Sequence, residues 1–328
     1  MTSGEDKLIA RFFKPLATHP GALSLTDDTG IFAPPAGHDL VLTADAVAGG
    51  VHFFPDDPPD AIARKALRVN LSDLAAKGAK PTGFLLTLAL PAGIDDAWLE
   101  KFSSGLRSDA ESFACPLFGG DTIRTTGPVT VSIFAFGSVP HGKMVKRSGA
   151  KPGDRIVVTG TIGDAALGLR VRRAADTAQN WKLDGALRDH LLGRYLVPQP
   201  RLGLAGALQA HASAAMDVSD GLVGDLTKLC SVSGVSAEIN ASSVPLSAAA
   251  QTALGSDARL FEAILTGGDD YEIVCAMKPD EVPAFRARAA TADIAVTDIG
   301  VVVDGTDEPR FIGANGPLSF AQKSFSHF

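Results

Sequence analysis

Seven aspartates share a pattern, since each lies where a predicted strand ends or in the turn or helix beside it. Five are placed at strand ends or in adjoining turns: Asp27, Asp28, Asp45, Asp121 and Asp217. Asp73 lies within a long predicted helix, and Asp220 begins another. Loops held by a rigid scaffold concentrate binding residues, so these carboxylates are candidates for a common site.

Carboxylates that converge on one cleft repel each other unless a cation lies among them. Mg²⁺ prefers such oxygen ligands and usually takes one or two carboxylates together with substrate phosphates. The pattern is therefore typical of a magnesium site that serves a phosphorylated substrate. Taken singly, each aspartate is equally well explained by the frequency of Asp in turns and at helix N-caps.

Two further features bear on phosphate binding. The turn Gly160–Gly163 lies between a predicted strand and a predicted helix, where a backbone cradle for phosphate would be placed, but tight packing of strand and helix explains it just as well. Arg147 follows Lys143 and Lys146 in a short basic cluster. The lysines are interpreted as solvated, whereas the Arg147 guanidinium is suited to gripping phosphate oxygens beside a metal site.

Composition narrows the class of protein. The formal net charge is −7 without a basic tail, which argues against general affinity for nucleic acid or anionic membrane. The three cysteines are widely separated, so neither a disulfide framework nor a zinc knuckle is indicated, and a reducing compartment is expected. The acidic N-terminus does not resemble a secretory signal, and the apolar run around Phe84–Leu90 is too short to span a bilayer. A soluble, cytoplasmic protein is expected.

Strands and helices alternate in the predicted pattern, which favours an α/β protein in two parts. Strands are predicted near Gly30–Ala33 and at Leu40–Thr43, Phe84–Leu90, Pro116–Phe118, Val129–Val139, Arg155–Thr159, Ala214–Val218, Glu272–Ala276 and Ile294–Val303. Helices are predicted over Leu8–Leu16, Pro59–Gly78, Asp95–Phe113, from Asp164, and over Asp184–Tyr195, Leu202–Ala210 and Asp220–Ser231. Gly and Pro in Ser148–Asp154 predict a linker, and hence domains at 1–150 and 151–328.

Several longer motifs occur in order across nearly the whole chain: Gly4–Phe13, Asn70–Ala79, Gly119–Thr122, Lys146–Asp154, Met216–Leu222 and Gly267–Glu272. Together they resemble the thiamine-monophosphate kinases, a family of the aminoimidazole ribonucleotide synthetase-like superfamily. The Asn-Leu-Ser-Asp and Ser-Asp-Gly pieces alone would indicate only the superfamily.

The resemblance implies two α/β domains of this superfamily type, with the N-terminal domain forming the sheet of a homodimer. It implies phosphorylation of thiamine monophosphate by ATP, the final step of thiamine diphosphate biosynthesis, with ATP and several Mg²⁺ ions bound between the domains. The implied metal-binding residues are Asp28, Thr43, Asp45, Asp73, Asp121, Asp217 and Asp220, with Asp27 a weaker candidate. The implied ATP contacts are Gly120, Asp121, Arg147 and Ser219. The implied contacts on the thiamine-phosphate side are His52 and Asp269, and no acid or base is assigned.

Three positions depart from the family pattern. Ala44 stands where relatives often carry a hydroxyl, Asp269 where they usually carry Glu, and Gln322 where an aromatic ring often stacks on substrate. Two alternatives stay open: another ATP-using enzyme of the superfamily, and a nucleotide-binding regulatory module without turnover. Among the other superfamily enzymes, a selenophosphate synthetase is disfavoured because it would be expected to carry a reactive cysteine near its N-terminus, and no cysteine precedes Cys115. The hydrogenase-maturation enzyme is disfavoured because it would end in a cysteine motif, which this chain lacks.

Overall fold

The computed structural model of this protein describes residues 4–174 and 176–325, which divide into two units. The first unit contains the described residues up to Leu74 together with Ala79–Met144. The second contains Ala75–Gly78 and the described residues from Val145 onward. The predicted linker Ser148–Asp154 contains neither helix nor strand.

A four-stranded sheet organises the first unit. Its strands are β1 (His38–Ala48), β2 (Lys80–Leu90), β3 (Leu117–Arg124) and β4 (Thr130–Pro140). They lie in the order β1-β4-β2-β3, with β4 antiparallel to both neighbours and β2 parallel to β3. Side chains alternate between the two faces of such a sheet. On β1, Val41 and Val47 are buried on one face, whereas Leu40 and Leu42 are exposed on the other.

The helices of the first unit are α1 (Gly4–Leu8), α2 (Pro59–Ala76) and α3 (Asp96–Ser112). The last residues of α2, Ala75 and Ala76, belong to the second unit. Buried Asp109 of α3 accepts two hydrogen bonds from Arg68 of α2, at 2.6 and 2.9 Å, and one from Arg64 at 3.2 Å. This paired carboxylate fixes the two helices to each other, because an unpaired buried charge would be strongly destabilising.

The N-terminal segment differs from its predicted form. The helical character expected over Leu8–Leu16 is present, but it begins at Gly4, widens into a π-type turn at Ile9–Phe13 and tightens into a 3₁₀ turn at Lys14–Leu16. Pro15 removes a backbone donor and so favours this change of helix type. The strand predicted near Gly30–Ala33 is wrong: the Ile31 N–H bonds the Gly21 carbonyl at 2.8 Å, and the segment pairs with no strand in the described residues.

A seven-stranded sheet organises the second unit, in the order β11-β10-β7-β9-β5-β8-β6. Its strands are β5 (Arg155–Thr159), β6 (Ala214–Val218), β7 (Ser236–Asn240), β8 (Glu272–Met277), β9 (Val296–Val303), β10 (Arg310–Gly313) and β11 (Gly316–Pro317). Its helices are α4 (Asp164–Arg173), α5 (Thr177–Asn180), α6 (Gly185–Leu196), α7 (Ala205–His211), α8 (Leu222–Ser233), α9 (Ala248–Ser256), α10 (Leu260–Thr266) and α11 (Val282–Ala290). All six residues of β8 are buried, and Phe285 and Phe311 are among the largest fully buried side chains.

The lengths of the helices and the state of the three cysteines bear on two predictions from the sequence. None of the described helices combines the length and the apolar character that crossing a bilayer requires. Cys115, Cys230 and Cys275 are free and buried, and burial raises the pKa of each thiol to about 12. These thiols are therefore poor nucleophiles and poor metal ligands, because the thiolate is the reactive form.

Candidate active site

A cavity of about 580 Å³ in the first unit brings together Asp27, Asp28, Gly120 and Asp121. Asp27 and Asp28 belong to the connection before β1, whereas Gly120 and Asp121 belong to β3. The remaining lining is largely apolar, including Ile9, Phe13, Leu25, Phe32, Leu85, Leu86, Leu117, Phe118 and Phe136. An apolar wall opposite carboxylate oxygens suits a ligand with a flat organic ring at one end and a metal-bound phosphate at the other.

Gly120 allows β3 to approach β2 closely at the cavity. Its φ is 153°, and a Cβ atom there would lie 1.8 Å from the Leu86 carbonyl oxygen. Any other residue would therefore displace backbone. Asp121 follows within the same strand, which continues to Arg124, so the prediction that the strand ends before Asp121 is wrong.

Thr43, Asp45 and Asp73 form a second group of site residues in the first unit. Thr43 and Asp45 are two positions apart on β1 and so share a face of the sheet. The Thr43 hydroxyl donates to Asp73 of α2 at 2.5 Å. Asp45 was expected at a strand end, but the ladder between β1 and β4 continues to Ala48, so Asp45 lies within the strand.

Asn70 supports this second group and was not predicted as a site residue. Its side-chain oxygen accepts the Asp45 N–H at 3.0 Å, and its amide donates to the Ala66 carbonyl at 3.0 Å. Asn70 is fully buried, so both hydrogen bonds are shielded from water. Asn70 and Asp73 stand one helical turn apart, which explains why the two polar ends of the Asn-Leu-Ser-Asp motif meet the same strand.

His52 lies in a turn that follows β1. Its Nδ1 atom accepts the Ala48 N–H at 3.1 Å, so the neutral ring carries its proton on Nε2. Its carbonyl accepts a 2.9 Å hydrogen bond from the buried Lys65 ammonium. The ring is therefore oriented by its own turn, and Nε2 is the protonated nitrogen of its neutral form.

In the second unit, the turn after β6 is held by a carboxylate that sequence reasoning did not select. Asp225 of α8 accepts the N–H groups of Ser219 and Asp220, both at 2.9 Å. Lys228 donates to Asp225 at 2.9 Å and to Asp220 at 2.6 Å. Asp217, within β6, is buried, with 5% of its surface exposed. The structure thus pairs Asp220, an expected metal ligand, with an ammonium group.

Burial and pairing act in opposite directions on this group. Burial raises the pKa of Asp225, and its hydrogen bond from Lys228 only partly offsets that rise. Burial lowers the pKa of Lys228, but its hydrogen bonds to Asp220 and Asp225 outweigh burial, so the net shift is upward. Lys228 therefore remains a cation beside the Ser-Asp-Gly turn.

The Gly267–Glu272 motif packs directly on this turn. The Asp269 N–H bonds the Ser219 carbonyl and the Tyr271 N–H bonds the Val218 carbonyl, both at 2.8 Å. Asp269 and Tyr271 have φ values of 74° and 51°, a left-handed conformation that is uncommon for residues with a side chain. The backbone of Asp269 is therefore held in a constrained conformation against the Ser219 carbonyl.

The two inner acids of the same motif have structural partners. Buried Asp270 accepts the N–H groups of Gly163 and Ala165 at 2.7 and 3.3 Å, and burial holds its pKa well above the usual value. Glu272 accepts hydrogen bonds from Thr159, Arg194 and Arg201. The Asp270 carboxylate therefore binds backbone N–H groups at the start of α4. This favours the packing interpretation of Gly160–Gly163 over a phosphate cradle.

Arg147 is exposed, and its segment runs beside the start of β6. The neighbouring Lys146 carbonyl accepts the Ala215 N–H at 2.9 Å, and the Arg147 carbonyl accepts the Ser233 hydroxyl at 3.4 Å. Ser219 follows the other end of β6, about 15 Å away along the strand. The backbones of Arg147 and Ser219, both expected to contact ATP, are therefore not adjacent.

The oxygen donors of the site fit Mg²⁺ only together with other ligands. Across residues 4–174 and 176–325, no three His, Cys, Asp or Glu side chains are gathered closely enough to hold a metal by themselves. Mg²⁺ is usually bound by one or two carboxylates, waters and substrate phosphates rather than by an all-protein cage. The carboxylates of Asp27, Asp28 and Asp121 around the cavity, and the Thr43–Asp73 pair, supply hard oxygen donors of that kind. These residues therefore fit a magnesium ion that arrives with its phosphate ligand.

Comparisons with known proteins agree with this fold. Two family models match the chain: the N-terminal domain of AIR synthase related proteins at residues 26–139 and their C-terminal domain at residues 151–312. The two units are therefore those of an AIR synthase related protein, which confirms the predicted fold class.

Individual relatives narrow the family. A thiamine-monophosphate kinase of Caulobacter vibrioides is 45% identical over 90% of this chain and 83% of that protein. The crystal structure of a thiamine-monophosphate kinase from Stenotrophomonas maltophilia K279a has 38% identity and a TM-score of 0.82, covering 93% of this chain and 94% of that one. The structure of AaThiL complexed with AMPPCP and TMP has 29% identity and a TM-score of 0.78, covering 92% and 91%. The chain belongs to the thiamine-monophosphate kinase family.

Proposed function

We propose that this protein transfers the γ-phosphoryl group of ATP to thiamine monophosphate, giving thiamine diphosphate and ADP as the final step of thiamine diphosphate biosynthesis. The observation that supports this most directly is membership of a family in which AaThiL is complexed with AMPPCP, an ATP analogue, and TMP, which we take as thiamine monophosphate. The cavity that joins apolar walls to Asp27, Asp28 and Asp121 supports it from this chain.

The transfer needs no base in this chain. A phosphate monoester has a second pKa of about 6, so the acceptor is largely a dianion at neutral pH. One of its oxygens forms the new bond to the γ-phosphorus, while the bond to the β–γ bridging oxygen breaks and ADP keeps the electron pair. The protein therefore mainly aligns donor and acceptor and offsets their charge.

Magnesium is part of this proposal. Bound Mg²⁺ would neutralise phosphate charge and thereby reduce repulsion between the two anionic substrates. Several Mg²⁺ ions are proposed, and the residues proposed as their ligands are Asp28, Thr43, Asp45, Asp73 and Asp121 in the first unit and Asp217 and Asp220 in the second. Asn70 and the Thr43–Asp73 hydrogen bond keep the β1 donors in place. Lys228 is hydrogen-bonded to Asp220, so a metal ion bound there would have to compete with this ammonium group.

Binding roles follow from the chemistry of each group. Gly120 is proposed to let the β3 backbone approach the nucleotide, and Asp121 to contact its metal-bound phosphates. Ser219 is proposed to contact ATP through its hydroxyl. Arg147 is proposed to grip phosphate oxygens from an exposed position. On the acceptor side, His52 and Asp269 are proposed to contact thiamine monophosphate, each from a turn whose backbone is held by hydrogen bonds.

We also propose a homodimer formed by the first-unit sheet. Phe134 of β4 lies beside Ala44 of β1 and Leu85 of β2 on one outward face. Leu42, Leu85 and Phe134 have 54%, 39% and 37% of their surface exposed. A continuous apolar face across three strands is typical of a surface that another protein covers.

The domain boundary and location complete the proposal. Domains at 1–150 and 151–328 are supported by family models that match on either side of residue 150. A cytoplasmic location is supported by the three free, buried cysteines, which suit a reducing compartment.

A steady-state assay tests the proposed function. ADP release is measured with Mg-ATP and thiamine monophosphate, free thiamine or no acceptor. Release that depends on thiamine monophosphate is the expected result. Equal release without acceptor, or none with any acceptor, would instead favour a protein that binds nucleotide without this transfer.

A further inference from the structure

A second cavity of about 580 Å³ in the first unit contains none of the predicted site residues. It is enclosed by the segment Pro15–Pro20, the first residues of β2 and the last two turns of α3. Its size is within the range of small-molecule sites. This cavity is therefore distinct from the one that contains Asp27, Asp28 and Asp121.

Arg107 is the principal polar group of this second cavity. The side chain is half-buried, and its Nε atom is buried with no hydrogen-bond partner among the described residues. Glu111 stands one helical turn away and also lines the cavity, yet the two side chains form no described ion pair or hydrogen bond. Because Nε is shielded from solvent, a ligand in the cavity would meet Arg107 through its terminal guanidinium nitrogens, which donate charge-assisted hydrogen bonds to an anion.

The rest of the polar lining is also rich in donors. Lys80, at the start of β2, adds a second positive charge. His19 accepts the Gly21 N–H on Nδ1 at 2.9 Å, which leaves Nε2 as the donor of the neutral ring. Glu111 is the single acidic side chain in the lining. The balance of charge and hydrogen-bonding capacity favours an anion.

The walls between these polar groups are apolar. They are formed by Pro15, Leu16, Pro20, Phe32, Pro81, Ala110, Ala114 and Pro116. His19 is packed against Phe118, with ring centroids 4.7 Å apart, so the imidazole is part of a rigid aromatic cluster. A fully hydrated inorganic ion would leave these walls in contact with water, whereas an organic body would cover them.

We propose that this cavity is a second ligand site, which binds a small organic anion through the guanidinium of Arg107. The ligand class is a carboxylate or a phosphate monoester carried on an apolar or aromatic body. Arg107 contacts the anionic group, Lys80 adds electrostatic attraction, and the proline and phenylalanine walls contact the body. The site goes beyond the phosphoryl transfer proposed above and does not depend on it.

Calorimetric titration of the full chain with phenyl phosphate, and separately with benzoate, tests the site and distinguishes its two anion classes. EDTA is present throughout, so that metal-dependent binding of a phosphate at the proposed acceptor site does not contribute. Saturable binding of at least one probe is expected. Arg107→Gln should weaken it by at least about tenfold, because a charge-assisted hydrogen bond is lost. Lys101→Gln, an exposed position on the same helix, is the matched control and should bind like wild type.

Two further measurements separate binding from folding. Without probe, Arg107→Gln should melt at or above the wild-type temperature, because it removes an unpaired buried donor. Asp73→Asn should bind the probe like wild type, which would place binding away from the proposed metal residues. No saturable binding of either probe, unchanged affinity in Arg107→Gln, or a clear loss of thermal stability in that variant without probe would each overturn the proposal.

Discussion

The Thr43 hydroxyl donates a 2.5 Å hydrogen bond to the Asp73 carboxylate, which joins strand β1 to the C-terminal end of helix α2. Asn70, one turn earlier on the helix, accepts the Asp45 N–H on the same strand. Two residues of one helical motif therefore set the positions of two predicted metal-binding residues. This arrangement makes Asp73 the most informative position at which to test the metal role.

We expect Asp73→Asn to reduce turnover by about a hundredfold or more while the protein stays folded. Loss of an outer-sphere partner of a metal commonly costs about ten- to a hundredfold, and loss of a charged ligand should cost more. The amide keeps the size of the side chain and can still accept from Thr43. Asp121→Asn should behave similarly, whereas Asp96→Asn on the surface of α3 is the control. Near-normal turnover at saturating Mg²⁺, with an unchanged melting curve, would contradict the metal role.

Arg147→Lys should raise the KM for ATP by about tenfold, with a smaller effect on the KM for the acceptor. Lysine keeps the positive charge but loses the planar pair of donors that grips two phosphate oxygens. Kinetics across ATP concentrations provide the measurement, and Lys146→Gln is the matched control because Lys146 is the exposed neighbour. If Arg147 is only a solvated surface residue, both variants will match wild type.

Sequence reasoning selected the candidate site residues by type but did not predict all of their surroundings. Asp45 was placed at a strand end, whereas the β1–β4 ladder continues for three further residues. Pairing with β4 is a long-range interaction, so local pattern cannot fix where the ladder stops. The Lys228–Asp220 pair is similarly invisible locally, because it depends on how the turn after β6 folds back on α8.

Other elements were predictable because their signals are local. The ends of α3 were expected at Asp95 and Phe113, and the helix runs from Asp96 to Ser112 with Asp95 as its N-cap. The side chain of Asp95 accepts the Trp98 N–H at 2.8 Å, as expected of an aspartate N-cap. In contrast, Gly30–Ala33 has the composition of a short strand but pairs with none of the described strands, and its Ile31 N–H bonds the Gly21 carbonyl instead.

The homodimer prediction is tested by a charge placed on the exposed sheet face. We expect wild type to be a dimer by light scattering at micromolar concentration, and Leu42→Glu to shift it towards monomer because a buried unpaired charge is costly. Val232→Glu, at an exposed apolar residue of the second unit, is the control and should remain a dimer. A wild-type monomer, or an unchanged dimer in Leu42→Glu, would contradict this interface.

The ion pair between His190 and Asp164 predicts a pH dependence of stability in the second unit. The hydrogen bond to Asp164 raises the pKa of His190, which outweighs the opposing effects of burial and of Arg194. Burial would raise the pKa of Asp164, but hydrogen bonds from His190, Ser247 and Thr161 prevail and lower it. The stabilisation by His190 is full below its unfolded pKa of about 6.5 and is lost as pH rises through the raised folded value. The stabilisation by Asp164 is present above its unfolded pKa of about 3.9 and is lost as pH falls through its lowered pKa in the folded protein.

Urea unfolding of wild type and His190→Gln at about pH 5.5 and about pH 8.5 measures this effect. Wild type should be the more stable protein at the lower pH, and the difference should shrink at the higher pH. His141→Gln is the control, because His141 is highly exposed and its pair with Asp39 should contribute little. A difference between wild type and His190→Gln that stays constant across this range would contradict the assignment.

The identity of the phosphorylated product is the most direct test of the proposed phosphoryl transfer from ATP to thiamine monophosphate. The protein is incubated with Mg²⁺, γ-labelled ATP and either thiamine monophosphate or free thiamine, and the thiamine species are separated by chromatography. The account predicts label in the terminal phosphate of thiamine diphosphate, in a one-to-one ratio with ADP, and essentially no labelled product from free thiamine. Phosphorylation of free thiamine as fast as its monophosphate, or ADP formation without labelled thiamine diphosphate, would contradict the account.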